Sequence, residues 1–89
     1  VHKRILIVED EASIRDMVAF ALRKAGMDTS QAADARTAQM SIAEQVPDLI
    51  LLDWMLPGTS GLDLARRLRK EELSREIPII MLTARGEEM

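Results

Sequence analysis

With 89 residues and no cysteine, the chain has room for one domain and excludes a disulfide framework or a thiolate metal site. A net charge of −3 argues against a nucleic-acid surface; the one basic cluster, Arg66, Arg67, Arg69 and Lys70, runs straight into Glu71 and Glu72 and reads as a solvated helix face. No apolar run nears the ~20 residues of a bilayer span and the N-terminus lacks a signal-peptide pattern, so the chain is expected to be soluble and cytoplasmic, with no membrane partner.

The run Ile5-Leu6-Ile7-Val8 has the continuous apolar character of a strand buried on both faces, and it closes on Glu9 and Asp10. Ser13 is placed to cap a first helix carrying Ile14, Met17, Val18, Ala21, Leu22 and Ala25 at helical spacing, with Gly26 as its stop. Residues 27–33 are a weaker strand candidate. Asp34 is placed to cap a second helix through Ala38, Ile42 and Ala43 to about Gln45, and Pro47 and Asp48 separate it from a third strand, Leu49-Ile50-Leu51-Leu52, closed by Asp53.

Residues 54–61 hold Pro57, Gly58 and Gly61 and read as a loop that turns sharply after Asp53. Ser60 and Asp63 form a capping pair for a third helix that turns Leu64, Ala65 and Leu68 inward. Pro78 opens a fourth strand over residues 79–82, which Thr83 ends at the same edge as the carboxylates.

Strands alternating with helices predict an α/β fold with a doubly wound parallel sheet. Ligands of such sheets bind beyond the strand C-termini where strand order reverses, so Glu9, Asp10 and Asp53 are expected to meet there. Three carboxylates held close repel one another until a cation neutralises them, and an all-oxygen donor set favours magnesium over softer metals. Trp54 reads as a half-buried hydrophobe, Met17, Met40, Met55 and Met81 as core or loop packing, and His2 as part of a terminal arm.

Laid out in this way, ILIVEDE at 5–11, DLILLDWMLPGTSG at 48–61 and IPIIMLTARGEE at 77–88 resemble the receiver domain of bacterial two-component response regulators, of the OmpR-like subfamily and nearest to its regulators of the phosphate response. The resemblance runs over residues 1–89. It implies a flavodoxin-like sheet of order 2-1-3-4-5, here truncated after the fourth strand and lacking the last helix-strand-helix segment. It also implies that Asp53 accepts a phosphoryl group from a sensor histidine kinase, with Mg2+ held by Asp10, Asp53 and the Met55 backbone carbonyl and supported by Glu9. Thr83 would supply the hydroxyl that turns toward the phosphoryl group, and Ala84 would leave room for it.

The family also carries a lysine after its fifth strand, for which Lys3, Lys24 and Lys70 offer no replacement, so phosphorylation is expected to be slower or its product less stable. The domain would not count as an enzyme in its own right. DNA would be reached only through an output domain absent from this chain, and surfaces bared by truncation would favour self-association.

Three other functions compete. A haloacid-dehalogenase-type phosphohydrolase needs a second Asp two residues after the nucleophile, where Met55 stands. A nucleotide-binding domain needs a glycine-rich turn after the first strand, where Glu9-Asp10-Glu11 stand. A non-signalling receiver-like fragment, acting only as a protein interaction module, keeps the fold but not the chemistry.

Overall fold

A computed structural model describes residues 2–82 of the chain. The elements follow in the order β1 (Arg4–Val8), α1 (Ala12–Lys24), β2 (Asp28–Ala32), α2 (Ala35–Glu44), β3 (Leu49–Leu52), β4 (Met55–Leu56), β5 (Thr59–Ser60), α3 (Gly61–Lys70) and β6 (Ile79–Met81). The main sheet is parallel with order β2-β1-β3-β6, so the chain steps from β1 outward to β2 and then returns to the other side of β1 with β3. This is the flavodoxin-like doubly wound sheet, and its reversal point lies between β1 and β3.

Both faces of β1 are covered, which explains its unbroken apolar run. Leu6 and Val8, with Ile50 and Leu52 of β3, point into a core closed by Ala35, Ala38 and Ile42 of α2 and Leu64 and Leu68 of α3. Ile5 and Ile7 point the other way, onto Val18, Ala19 and Leu22 of α1. Side chains such as Leu6, Ile7 and Ile50 are fully buried, each a contribution of roughly 1.5–3 kcal/mol to folding.

Two of the three helices start as their sequences predict. The Asp34 Oδ1 accepts from the Thr37 amide at 2.8 Å, and the Ser60 Oγ accepts from the Asp63 amide at 3.0 Å. Ser13, expected to cap α1, instead lies inside its first turn. Glu11 occupies the cap position with no side-chain capping bond, and its carbonyl accepts the first helical bond from the Arg15 amide at 3.0 Å. The buried stripe of α1 is also narrower than its apolar spacing implies: Ala19 is buried, but Met17 is 64 % exposed and Ala21 and Ala25 are exposed as well. Gly26 does stop the helix, at φ +91°, donating its amide to the Arg23 carbonyl.

Residues 54–61 are more ordered than a loop. Met55–Leu56 and Thr59–Ser60 pair antiparallel as a short hairpin, turned by Pro57 and by Gly58 at φ +81°. Met40 and Met55 are exposed rather than packed, and only Met81 of the four methionines considered lies against the core. The basic end of α3 is more than a solvated face: Arg66 pairs with Asp63 at 3.2 Å, while Arg69 donates to the carbonyls of Arg75 at 3.0 Å and Ile77 at 2.7 Å, holding the connection into β6. Buried Ser74 fastens the same connection by donating to the Leu68 carbonyl at 2.7 Å.

Candidate functional site

The sheet register builds the site. Val8 of β1 pairs with Leu52 of β3, so the next residues, Glu9 and Asp53, leave the sheet side by side. The Asp53 amide donates to the Val8 carbonyl at 3.0 Å, and the Glu9 amide donates to the Ala32 carbonyl at 3.0 Å, which anchors both acids to the ends of their strands. Asp10 follows one residue later on the way to α1.

Glu9, Asp10 and Asp53 each bring a carboxylate oxygen into a group spanning no more than 4.8 Å. Glu9 is 2 % exposed and Asp53 1 %, whereas Asp10 faces solvent. Ionised carboxylates ~4–5 Å apart repel by roughly 3–4 kcal/mol per pair at an effective dielectric of about 20. A divalent cation turns that repulsion into attraction. The donors are all hard oxygens, two from the interior and one from the rim, and that set fits Mg2+ and not a soft metal.

Neighbouring contacts fix the backbone that carries these acids. The Glu9 Oε2 accepts from the Glu11 amide at 2.9 Å. Arg15 Nη1 donates to the carbonyl oxygens of Glu9 at 2.8 Å and Asp10 at 3.3 Å, while its Nε donates to Gln31 Oε1 at 3.2 Å. On the other side, the Gly61 amide donates to the Trp54 carbonyl at 2.7 Å, and a Cβ at Gly61 would overlap the Asp53 carbonyl oxygen. Neither Arg15 nor the close approach at Gly61 is visible as a site feature in the sequence.

Glu9, Asp10 and Asp53 therefore come together as the strand ends predict. Met55 opens the hairpin two residues beyond Asp53 and is exposed. Thr83 and Ala84 lie outside the described residues. Lys3 precedes β1 and Lys24 and Lys70 end α1 and α3, so among the described residues the lysines sit at the opposite edge of the sheet from the acids. Trp54, expected to be half-buried, is 37 % exposed, in keeping with that reading.

An open cavity of about 450 Å³ lies elsewhere, between the start of α2 and the β4–β5 turn, lined by Asp34, Arg36, Thr37, Pro57, Gly58 and Arg67 among others, and includes none of the three acids. The Asp34 carboxyl there is held below the ordinary aspartate range, first by the Thr37 amide and then by the Thr37 hydroxyl.

Comparison with known proteins gives these features a context. The response regulator receiver domain model matches residues 5–89. The chain is 60 % identical over 88 residues to the phosphate regulon transcriptional regulatory protein PhoB of Pseudomonas aeruginosa, covering 99 % of this chain and 38 % of that protein. It is 54 % identical over 86 residues to PhoB of Escherichia coli, covering 97 % of this chain and 38 % of that protein. The chain thus spans well under half the length of these relatives. Among solved structures, the chemotaxis response regulator CheY4 of Vibrio cholerae superposes with a TM-score of 0.86 at 31 % identity, over 91 % of this chain and 68 % of that one.

Proposed function

The chain belongs to the response regulator receiver family, and from that premise we propose that residues 1–89 form a phosphoacceptor domain in which Asp53 takes a phosphoryl group from a sensor histidine kinase. The observation that carries this reading is the meeting of Glu9, Asp10 and Asp53 within 4.8 Å at the reversal point of the sheet, with Asp53 buried at the strand end. A carboxylate oxygen of Asp53 forms the new P–O bond as the P–N bond to the kinase imidazole breaks, the electron pair leaving with the nitrogen. Asp10, Asp53 and the Met55 carbonyl would hold Mg2+, with Glu9 in support, and the bound ion would supply positive charge to the phosphoryl oxygens.

The protein groups do the orienting. Burial of Asp53 restricts approach to the open side where Asp10 meets solvent, and the Asp53 amide bond to Val8 keeps the nucleophile from drifting with the hairpin beyond it. Thr83 is assigned the hydroxyl that contacts the phosphoryl group. A phosphoryl group adds about −1.5 to −2 charges to this acidic site, so the product depends on the cation.

The likeness to PhoB supports a parent protein that regulates transcription in the phosphate response, acts in the cytoplasm, and reaches DNA through an output domain beyond the receiver. The receiver takes part in its own phosphorylation without being an enzyme in the ordinary sense. Intact-mass measurement with acetyl phosphate, with and without Mg2+, tests the reading. One phosphoryl group should be gained only with Mg2+ and lost in Asp53→Asn. No gain in a folded sample would leave the domain as an interaction module.

A further inference from the structure

Arg15 stands one turn into α1, and its side chain runs back toward the helix start, the direction that helical side chains favour. Its guanidinium meets three groups from two segments: the carbonyl oxygens of Glu9 at 2.8 Å and Asp10 at 3.3 Å, and the Gln31 amide oxygen on β2 at 3.2 Å. Its own backbone amide is tied to the Glu11 carbonyl at 3.0 Å. Arg15 therefore grips the residues that carry two of the three acids and ties them to the neighbouring strand.

We infer that Arg15 is a positioning residue for cation binding by the acidic pocket, acting through the backbone of Glu9 and Asp10 and not by contact with the ion; this rests on the metal-assisted phosphoacceptor reading above. Glu9 is also held through its side chain, by the Glu11 amide, and Asp53 by its place at the end of β3. Asp10 is exposed at the rim, and Arg15 takes hold of the backbone that carries its carboxylate, through the Asp10 carbonyl and the Glu9 carbonyl before it. With the guanidinium gone, the Glu9 and Asp10 carbonyls would turn to water and the loop would sample several orientations. A planar fork suits several acceptors spread around it, which a lysine ammonium on a flexible stem does not reproduce.

Electrostatics and positioning predict opposite signs here. Arg15 is a positive charge beside a cation site, so if it acted by charge alone its removal would tighten cation binding. Positioning predicts the reverse.

The test titrates the 89-residue chain with MgCl2, following Trp54 fluorescence and calorimetric heat, for the wild type, Arg15→Gln, Arg15→Lys and Gln31→Leu, with the thermal midpoint of each metal-free protein measured alongside. Arg15→Gln should bind Mg2+ about tenfold more weakly, as loss of groups that orient metal ligands commonly does. Arg15→Lys should recover part of the loss, and Gln31→Leu should weaken binding by a smaller factor. Equal or tighter binding by Arg15→Gln, or a lowered thermal midpoint with unchanged Mg2+ affinity, would overturn the inference while leaving the phosphoacceptor reading intact. Should Arg15→Gln fail to fold, wild-type affinity in both other variants overturns it instead. Absence of Mg2+ binding by the wild type would bring down the phosphoacceptor reading, and the role of Arg15 with it.

Discussion

At Gly61 the first residue of α3 passes so close to the end of β3 that a Cβ would overlap the Asp53 carbonyl oxygen. The obstacle is backbone, so no flexible side chain can yield to it. Gly61→Ala should cost roughly 1–3 kcal/mol, the range of small-to-large changes in packed sites, and should lower the urea midpoint with little change in slope. A midpoint equal to wild type would show that β3 and α3 can separate freely. The three acids were legible in the sequence because Glu9 and Asp53 directly follow apolar strands, Asp10 comes next after Glu9, and strand ends of parallel sheets converge. Arg15 and Ser74 were not: the bond from Arg15 to Gln31 spans 16 positions, and a serine in a polar connection gives no sign that it is buried against the Leu68 carbonyl.

The helix starts show which local signals survive folding. Asp34 and Ser60 cap as predicted because each stands in extended backbone directly before its helix, whereas Ser13 lost its role when the chain entered α1 two residues earlier. The β4–β5 hairpin escaped notice because two-residue strands are too short to show an alternating pattern. The Asp34 cap also has a pH signature. The Thr37 amide and hydroxyl lower its carboxyl in the folded state, so its stabilisation is complete above the unfolded value and fades as pH falls through the folded one. Asn keeps the acceptor oxygen but cannot titrate. The thermal midpoint of wild type relative to Asp34→Asn should therefore decline as the medium is acidified below the ordinary aspartate range, and a difference that holds constant over that range would contradict the assignment.

Across the whole molecule, the two faces of the sheet are unequally covered. Two helices close the face of Leu6, Val8, Ile50 and Leu52, while α1 serves the other and leaves Met17 and Phe20, at 64 % and 60 % exposure, on its outer side, with Ile80 of β6 also open. Among the described residues β6 is an edge strand, paired only with β3. Exposed apolar groups together with an open edge favour association. Sedimentation of the 89-residue chain should show mass rising with concentration, and a single monomer mass throughout the micromolar range would count against it. The burial of β1 on both faces was readable from its apolar run, and the sheet order came with the family resemblance, but the narrow contact of α1 was not legible, because helical spacing marks which residues share a side and not how much of that side finds cover. The pairing of Val8 with Leu52 has a consequence for how this site can change. Glu9 and Asp53 are neighbours because their strands keep the same count of residues up to the sheet edge, so one residue inserted in either strand would carry its acid ~3.3 Å along and reverse the side it faces. Substitutions can adjust such a site gradually, but a change of length within β1 or β3 abolishes it in a single step.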